Sequence, residues 1–174
     1  MAADWIVPDW KAPPGVGAAV STRHGPGVSE APYDRLNLGL RSGDDLAAVE
    51  VNRRAVAEAL ELPAPPLWLR QVHGIAVIEA TAAGDDEPVA DASVARGPGQ
   101  VLAILTADCL PVLFASADGR TIGAAHAGWR GLAAGVLENT VAAMAANGVQ
   151  AWLGPAIGAS SYEVGEEVRA AFVD

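Results

Sequence analysis

Residues 100–116, QVLAILTADCLPVLFAS, form the most apolar stretch of the chain, which the polar residues at 106–108 and Pro111 interrupt. Residues 121–129, TIGAAHAGW, follow after an Asp-Gly turn signal and predict another buried strand. A short apolar run between turn signals is typical of a strand that is buried in the core. We therefore expect the interior of the fold to be centred on this part of the chain.

Further strands are predicted on both sides of this region. Residues 15–22 form a short apolar run that ends in the turn-rich segment 23–34, which indicates a buried strand followed by a long irregular loop. Residues 67–80, LWLRQVHGIAVIEA, predict a strand, a tight turn at the His-Gly pair and a second strand. The remaining predictions are a surface loop at the acidic residues 84–88 and a final strand at 151–154.

Three segments carry helical patterns. Residues 42–62 begin with acidic residues and stop before Pro63, and residues 131–148 are rich in alanine and end at Gly148, a plausible C′ glycine. An acidic segment at 165–173 is also helical in pattern. Apolar residues recur at helical spacing at Leu46, Val49, Val56 and Leu60 in the first segment and at Leu137, Val141 and Met144 in the second. Strands and helices alternate without internal repeats, which predicts an α/β architecture.

Composition limits the class of protein. A chain of 174 residues with 51% hydrophobic residues predicts one folded domain over residues 1–174. The net charge of −10 opposes binding to phosphate backbones and anionic lipids, so we expect no nucleic-acid or membrane partner. The single cysteine cannot form an internal disulfide, and no apolar run is long enough to span a membrane, so we expect a cytoplasmic protein.

Three side chains stand out as potential metal ligands in apolar surroundings: His73, Cys109 and His126. Their spacing is too wide for a zinc finger, so the folded core would have to assemble the site. Three protein ligands leave one position of a tetrahedral zinc open, as in catalytic sites, where the ion activates water or substrate. Asp108 is predicted either to orient a ligand imidazole or to serve as a helix N-cap.

The same residues allow other interpretations. Cys109 by itself is most simply a small buried apolar residue, and each histidine by itself is more often a core or turn residue than a ligand. A nucleophilic Cys-His pair without metal would use the same residue types. Spacing in the sequence does not separate these possibilities.

Arginine and tryptophan side chains suggest an anion site. Arg130 follows Trp129 at the predicted start of a helix, where a guanidinium group and free backbone N–H groups suit phosphate. An ion pair with a carboxylate is the alternative for Arg130. Trp129 and Trp68 could stack on a flat ring, although tryptophans more often fill cores. Arg23, Arg41 and Arg70 are further anion-binding candidates in loops.

Seven motifs together resemble one known family. They occur in the order STRHGPGVS, YDRLNLGL, WLRQVHG, ADAS, LTADCLPVLF, AAHAGWRGL and WLGPAIG. Their order and spacing resemble the YfiH-like or laccase-domain family, whose members are known as polyphenol oxidases, purine nucleoside phosphorylases and peptidoglycan editing factors. The resemblance spans nearly the whole chain. It implies an α/β fold with mixed sheets sandwiched between helices, related to the catalytic domain of a bacterial toxin.

The resemblance also implies a cofactor and an activity. The cofactor is a zinc ion on His73, Cys109 and His126, with copper as an alternative metal. The activity is phosphorolysis of adenosine, inosine, guanosine and methylthioadenosine, together with adenosine deamination, by a monomer or homodimer. Arg130 is the expected phosphate ligand and Arg23 a weaker one. Cys109, Asp108 and Arg130 are the expected catalytic group, and Asn37 and Gln71 are expected to bind sugar hydroxyls or base edges.

Other activities remain as alternatives. One is a Cys-His amide hydrolase linked to peptidoglycan precursor editing, and another is a nucleoside-binding module without catalysis. A copper-dependent polyphenol oxidase ranks low, because three histidines are too few for a multicopper centre. The chain departs from the family pattern at Pro26, and relatives are expected to continue past its C-terminus, so the family fold is expected to be incomplete here.

Overall fold

The computed structural model describes residues 5–80 and 87–173. The predicted acidic loop at 84–88 therefore lies mostly outside the described residues. The elements in chain order are β1 (Trp5–Ile6), β2 (Val20–Ser21), α1 (Leu46–Ala59), β3 (Val77–Glu79), β4 (Ala92–Arg96), β5 (Leu110–Ala115), β6 (Thr121–Ala127), α2 (Trp129–Ala134), α3 (Val136–Met144), β7 (Gln150–Leu153) and α4 (Glu166–Val173). None of the helices in these ranges is both long and apolar enough to cross a bilayer.

The chain forms two compact units. The first comprises residues 1–11 and 17–66, and the second comprises residues 12–16 and 67–174. The interpretation of residues 1–174 as one domain stays a prediction.

The first unit contains a short hairpin-like pairing and one helix. Strand β1 pairs antiparallel with β2, which covers only the end of the predicted strand at 15–22. Helix α1 begins after Asp45, whose side chain accepts a hydrogen bond from the Ala47 N–H and caps the helix. It buries Val49, Asn52 and Val56, which confirms the predicted helix, although Leu46 at its start is exposed.

The second unit is built on a five-stranded mixed sheet in the order β3-β4-β6-β5-β7. Strands β3 and β4 are parallel, and the other neighbouring pairs are antiparallel. Helix α3 packs on one face of the sheet. The buried residues at this interface are Ala92, Val94, Val112, Phe114, Ala125, Ala127, Val136 and Met144. The two apolar segments that contain β5 and β6 therefore supply the centre of this core, and the predicted α/β class is confirmed.

Two further predicted elements differ from the structure. The segment 67–80 is not a hairpin: its first half forms only isolated bridges at Leu67 and Arg70, and its second half, β3, pairs with β4. The predicted helix over 131–148 is two helices, because Gly135 adopts a left-handed conformation with φ of 98° between α2 and α3. Helix α3 also ends earlier than predicted, with Ala145 rather than Gly148 at its left-handed cap.

Candidate metal centre

The structure brings together the three predicted metal ligands. One ligand atom each from His73, Cys109 and His126 lies within 4.8 Å of the others. The Sγ atom of Cys109 is 3.8 Å from Nε2 of His73. The rings of His73 and His126 meet edge to face, with their centroids 4.7 Å apart and their planes at 78°. No other group of this kind occurs within residues 5–80 and 87–173.

Strand pairing accounts for two of the three positions. Strands β5 and β6 are antiparallel, with Leu110 opposite Ala127 and Pro111 opposite His126. The start of one strand therefore lies beside the end of the other. Cys109 immediately precedes β5 and His126 is near the end of β6, so residues 17 positions apart in the sequence meet at one end of the sheet.

A left-handed turn positions the third ligand. His73 has a φ of 60°, a conformation that non-glycine residues rarely adopt. The backbone N–H groups of Val72, His73 and Gly74 all donate hydrogen bonds to the carboxylate of Asp91, at 2.7 to 3.2 Å. Successive N–H groups that converge in this way form a concave binding site for an anion. The Asp91 carboxylate therefore stabilises a turn that the sequence alone would disfavour.

Asp91 also contacts a second ligand of the group. Its Oδ1 atom accepts a hydrogen bond from Nδ1 of His126 at 2.9 Å, and both side chains are buried. This bond leaves Nε2 of His126 as the nitrogen that can face a metal ion. The local sequence patterns did not single out Asp91, although it lies in the ADAS motif. The available signal was a carboxylate next to a short apolar strand, where a buried charge requires a partner.

The two structural roles predicted for Asp108 are wrong, whereas its catalytic role stays a prediction. The imidazole of His126 is oriented by Asp91, and the Asp108 side chain is exposed. No helix begins at this position, because Asp108 lies just before β5, so the N-cap interpretation also fails. The carbonyl of Asp108 instead accepts a hydrogen bond from the Ile157 N–H at 2.9 Å.

The electrostatic environment shifts the pKa values of the Asp91 carboxyl and the Cys109 thiol in opposite directions. Burial raises the pKa of Asp91, but hydrogen bonds from His126 and from the N–H groups of the turn outweigh it and lower the pKa below its ordinary value. Burial, followed by the negative charges of Asp108 and Asp91, raises the pKa of the Cys109 thiol. Asp91 is therefore an ionised acceptor, and the surroundings of Cys109 disfavour a free thiolate unless a cation is close by.

Two imidazoles and a thiolate are a ligand set that suits zinc, and copper is compatible with the same atoms. Gly128 leaves the space that these side chains need. A Cβ atom on Gly128 would lie 2.6 Å from Cδ2 of His73 and 3.1 Å from Sγ of Cys109. The residues present therefore fit a metal ion held by His73, Cys109 and His126.

Arg130 lies two residues beyond this glycine. It is exposed, and its guanidinium group stacks on the Trp129 ring at 4.2 Å from the centroid. In the described part of the chain Arg130 has no carboxylate partner, which removes the predicted alternative of an ion pair there. It is the second residue of α2, as the prediction of a helix start required.

The other predicted substrate contacts already have partners within the protein. Gln71 donates to the Leu105 carbonyl at 2.7 Å and accepts from the Leu105 N–H at 2.8 Å. In the first compact unit, Arg23 pairs with Asp34 at 2.6 Å. Asn37, in the same unit, donates to Ser42 and Asp44. The substrate roles of Gln71, Arg23 and Asn37 stay predictions.

Comparison with known sequences places the chain in a family. The family model described as multi-copper polyphenol oxidoreductase laccase matches residues 17–174. A Xylella fastidiosa protein named purine nucleoside phosphorylase is 55% identical over an aligned length of 181 residues. The alignment covers 98% of this chain and 70% of the relative. Escherichia coli YfiH, also named purine nucleoside phosphorylase, is 54% identical over 170 residues, covering 97% of this chain and 70% of the relative.

Solved structures agree with this placement. The crystal structure of the Neisseria meningitidis protein NMB0706, of the DUF152 family, matches with a TM-score of 0.91 at 46% identity, over 97% of this chain and 69% of that one. YlmD from Geobacillus stearothermophilus matches with a TM-score of 0.86 at 33% identity, over 98% of this chain and 69% of that one. The resemblance found in the motifs is thus confirmed, and the chain belongs to the YfiH-like, laccase-domain family.

Proposed function

We propose that this chain is a zinc-dependent purine nucleoside phosphorylase that also deaminates adenosine. The proposed substrates are adenosine, inosine, guanosine and methylthioadenosine, with inorganic phosphate as the second substrate. The observation that carries the proposal is the convergence of His73, Cys109 and His126 within 4.8 Å at one end of a sheet. The names of relatives at 54% and 55% identity support the class of substrate.

The metal ligands in this proposal are Nε2 of His126, Nε2 of His73 and Sγ of Cys109. When bound, a zinc ion acts as a Lewis acid and activates water for attack on carbon. The residues of the chain hold the three donors in place and carry the negative charge that balances the ion. Asp91 provides part of that charge in a position where it contacts the His126 ring.

Phosphorolysis requires a group that binds phosphate beside the sugar. In this reaction a phosphate oxygen forms a bond to C1′ of the ribose, and the bond from C1′ to the purine nitrogen breaks. The purine leaves with the bonding electrons and takes up a proton, so the products are the free base and ribose 1-phosphate. Arg130 is the proposed phosphate ligand. It follows His126 by four positions in the sequence, and its exposed guanidinium group can bind two phosphate oxygens.

Product analysis tests this proposal. Zinc-loaded protein is incubated with adenosine in the presence and absence of phosphate, and bases, nucleosides and ribose 1-phosphate are separated by chromatography. We expect adenine and ribose 1-phosphate only with phosphate. Inosine should form in both conditions, and with phosphate part of it should be converted to hypoxanthine. The His126→Ala variant should lose both activities, whereas His24→Ala, which changes the histidine outside the group, should keep them. Unchanged adenosine in both conditions would exclude the proposed activities.

A cysteine nucleophile is the less favoured alternative. Sγ of Cys109 and Nε2 of His73 are 3.8 Å apart, which a Cys-His amide hydrolase would also require. The raised pKa of the Cys109 thiol opposes this interpretation, because a nucleophilic cysteine needs a lowered one. A multicopper oxidase is disfavoured because the described residues contain a single group of potential metal ligands.

A further inference from the structure

One buried carboxylate touches two of the three proposed metal ligands. Oδ1 of Asp91 accepts hydrogen bonds from the His73 N–H at 2.8 Å and from Nδ1 of His126 at 2.9 Å. Oδ2 accepts a bond from the Gly74 N–H at 2.7 Å, and the Val72 N–H lies 3.2 Å from both oxygens. Asp91 is fully buried, so these four donors take the place of water around the charge.

The contact with His126 decides which ring nitrogen carries the proton. An ionised carboxylate has only acceptors, so Nδ1 of His126 must be the donor in this bond. In the neutral ring the proton then lies on Nδ1, and Nε2 keeps the lone pair that a metal ion requires. A ring with the opposite tautomer would place a proton where the ion has to bind.

The contacts with the turn decide where the His73 ring lies. The φ of 60° at His73 costs free energy, on the order of 1–2 kcal/mol for a non-glycine residue. Three N–H groups that converge on Asp91 compensate for this cost. The turn holds Nε2 of His73 at 3.8 Å from Sγ of Cys109. Without the carboxylate, these three N–H groups lose their acceptor, and the left-handed conformation loses this stabilisation.

We infer that Asp91 is the positioning residue of the metal group, which fixes the tautomer of His126 and the turn of His73 before a metal ion arrives. The inference rests on the proposed metal-binding role of His73, Cys109 and His126. It assigns to Asp91 a function in metal affinity and in the geometry of the ligands. Asp91 takes no part in bond making or breaking.

Zinc titration against a competing chelator tests the effect on affinity. Asp91→Asn keeps the size of the side chain, but it replaces one acceptor with an N–H₂ donor that would face backbone or ring N–H groups. We expect its zinc affinity to fall by about 10- to 100-fold, the usual effect of removing a partner that orients a metal ligand.

Ser93→Ala is the matched control. Ser93 lies two residues further along the chain and is equally buried, and its Oγ has no hydrogen-bond partner in the described part of the chain. Its zinc affinity should equal that of the parent. Equal affinities for the parent and Asp91→Asn would overturn the inference while leaving the metal site itself intact.

A second measurement needs no variant at Asp91. The ¹⁵N chemical shifts of the His126 ring are recorded for the parent protein after zinc is removed with a chelator. We expect a protonated Nδ1 and an unprotonated Nε2. The opposite tautomer would overturn the inference, even if Asp91→Asn fails to fold by circular dichroism. If the parent binds no zinc, the proposed function fails, and the tautomer still decides whether Asp91 orients His126.

Discussion

Gly128 lies against His73 so closely that a Cβ atom on the glycine would be 2.6 Å from Cδ2 of the imidazole. The same Cβ atom would be 3.1 Å from Sγ of Cys109. The backbone between β6 and α2 therefore forms one wall of the metal group. Any side chain at this position would force His73 to shift and would crowd Sγ of Cys109.

Replacing Gly128 with alanine should weaken metal binding. The added methyl group moves His73 or Cys109 from its present position, so we expect zinc affinity to fall about tenfold or more, comparable to other losses of ligand orientation. Chelator competition measures the affinity. Gly158→Ala is the matched control, because a Cβ atom there meets no heavy atom within 4 Å. Parent-like affinity in Gly128→Ala would contradict the close contact.

Replacing Cys109 with alanine separates a ligand from a nucleophile. If Sγ binds the ion, Cys109→Ala should lose zinc during dialysis that the parent withstands. Elemental analysis of both proteins measures the zinc content, with His24→Ala as a control for general effects of removing a potential ligand. A variant that keeps its zinc but loses activity would instead support the Cys-His hydrolase.

Removing the guanidinium group of Arg130 should weaken the binding of phosphate. Hydrogen bonds to charged groups contribute about 1.5–3 kcal/mol, so we expect the KM for phosphate to rise about 10- to 100-fold in Arg130→Ala. Deamination uses no phosphate and should fall far less. Steady-state kinetics of the two reactions measure the difference. Arg120→Ala, which changes another exposed arginine, should leave the KM for phosphate as it is, and a similar rise there would remove the specific role of Arg130.

Stability at acid pH should depend on Asp44. Hydrogen bonds from the Ser29 hydroxyl and the Asn37 amide lower the pKa of Asp44 in the folded protein below its ordinary value of 3.8. Its contribution to stability is therefore complete above that value and is lost as the pH falls through the lower folded value. By urea unfolding, Asp44→Asn should be less stable than the parent at pH 7. The difference in the free energy of unfolding between the two proteins should narrow below about pH 4. A difference that stays constant with pH would contradict the lowered pKa of Asp44.

Glycine at position 135 should be needed for the break between α2 and α3. Its φ of 98° disfavours any residue with a Cβ atom, although an added Cβ would meet its nearest neighbour only at 3.6 Å. We expect Gly135→Ala to lower the free energy of unfolding by about 1–2 kcal/mol, measured by urea denaturation. Gly158→Ala lacks this constraint and should show a smaller change, so equal losses in both variants would argue against backbone strain as the cause.

Local patterns predicted the elements whose signals are contained in a few neighbouring residues. Helix α1 carries its own cap at Asp45 and its own apolar spacing, so its position could be predicted to within a few residues. The same holds for β6, where the apolar run 121–127 and the turn before it are both local. Strand β4 was not predicted, because its short apolar segment is only five residues long and is flanked by charged and turn-forming residues.

The order of residues shows which side chains are available for chemistry, namely one cysteine and three histidines, and its motifs indicate the family. The folded arrangement adds two facts that no local pattern shows: His73, Cys109 and His126 meet, and Asp91 rather than Asp108 contacts the two histidines. The reason is physical. Strand pairing and a left-handed turn bring together residues far apart in the chain, and the partner of a buried carboxylate is set by the fold around it rather than by its neighbours in sequence.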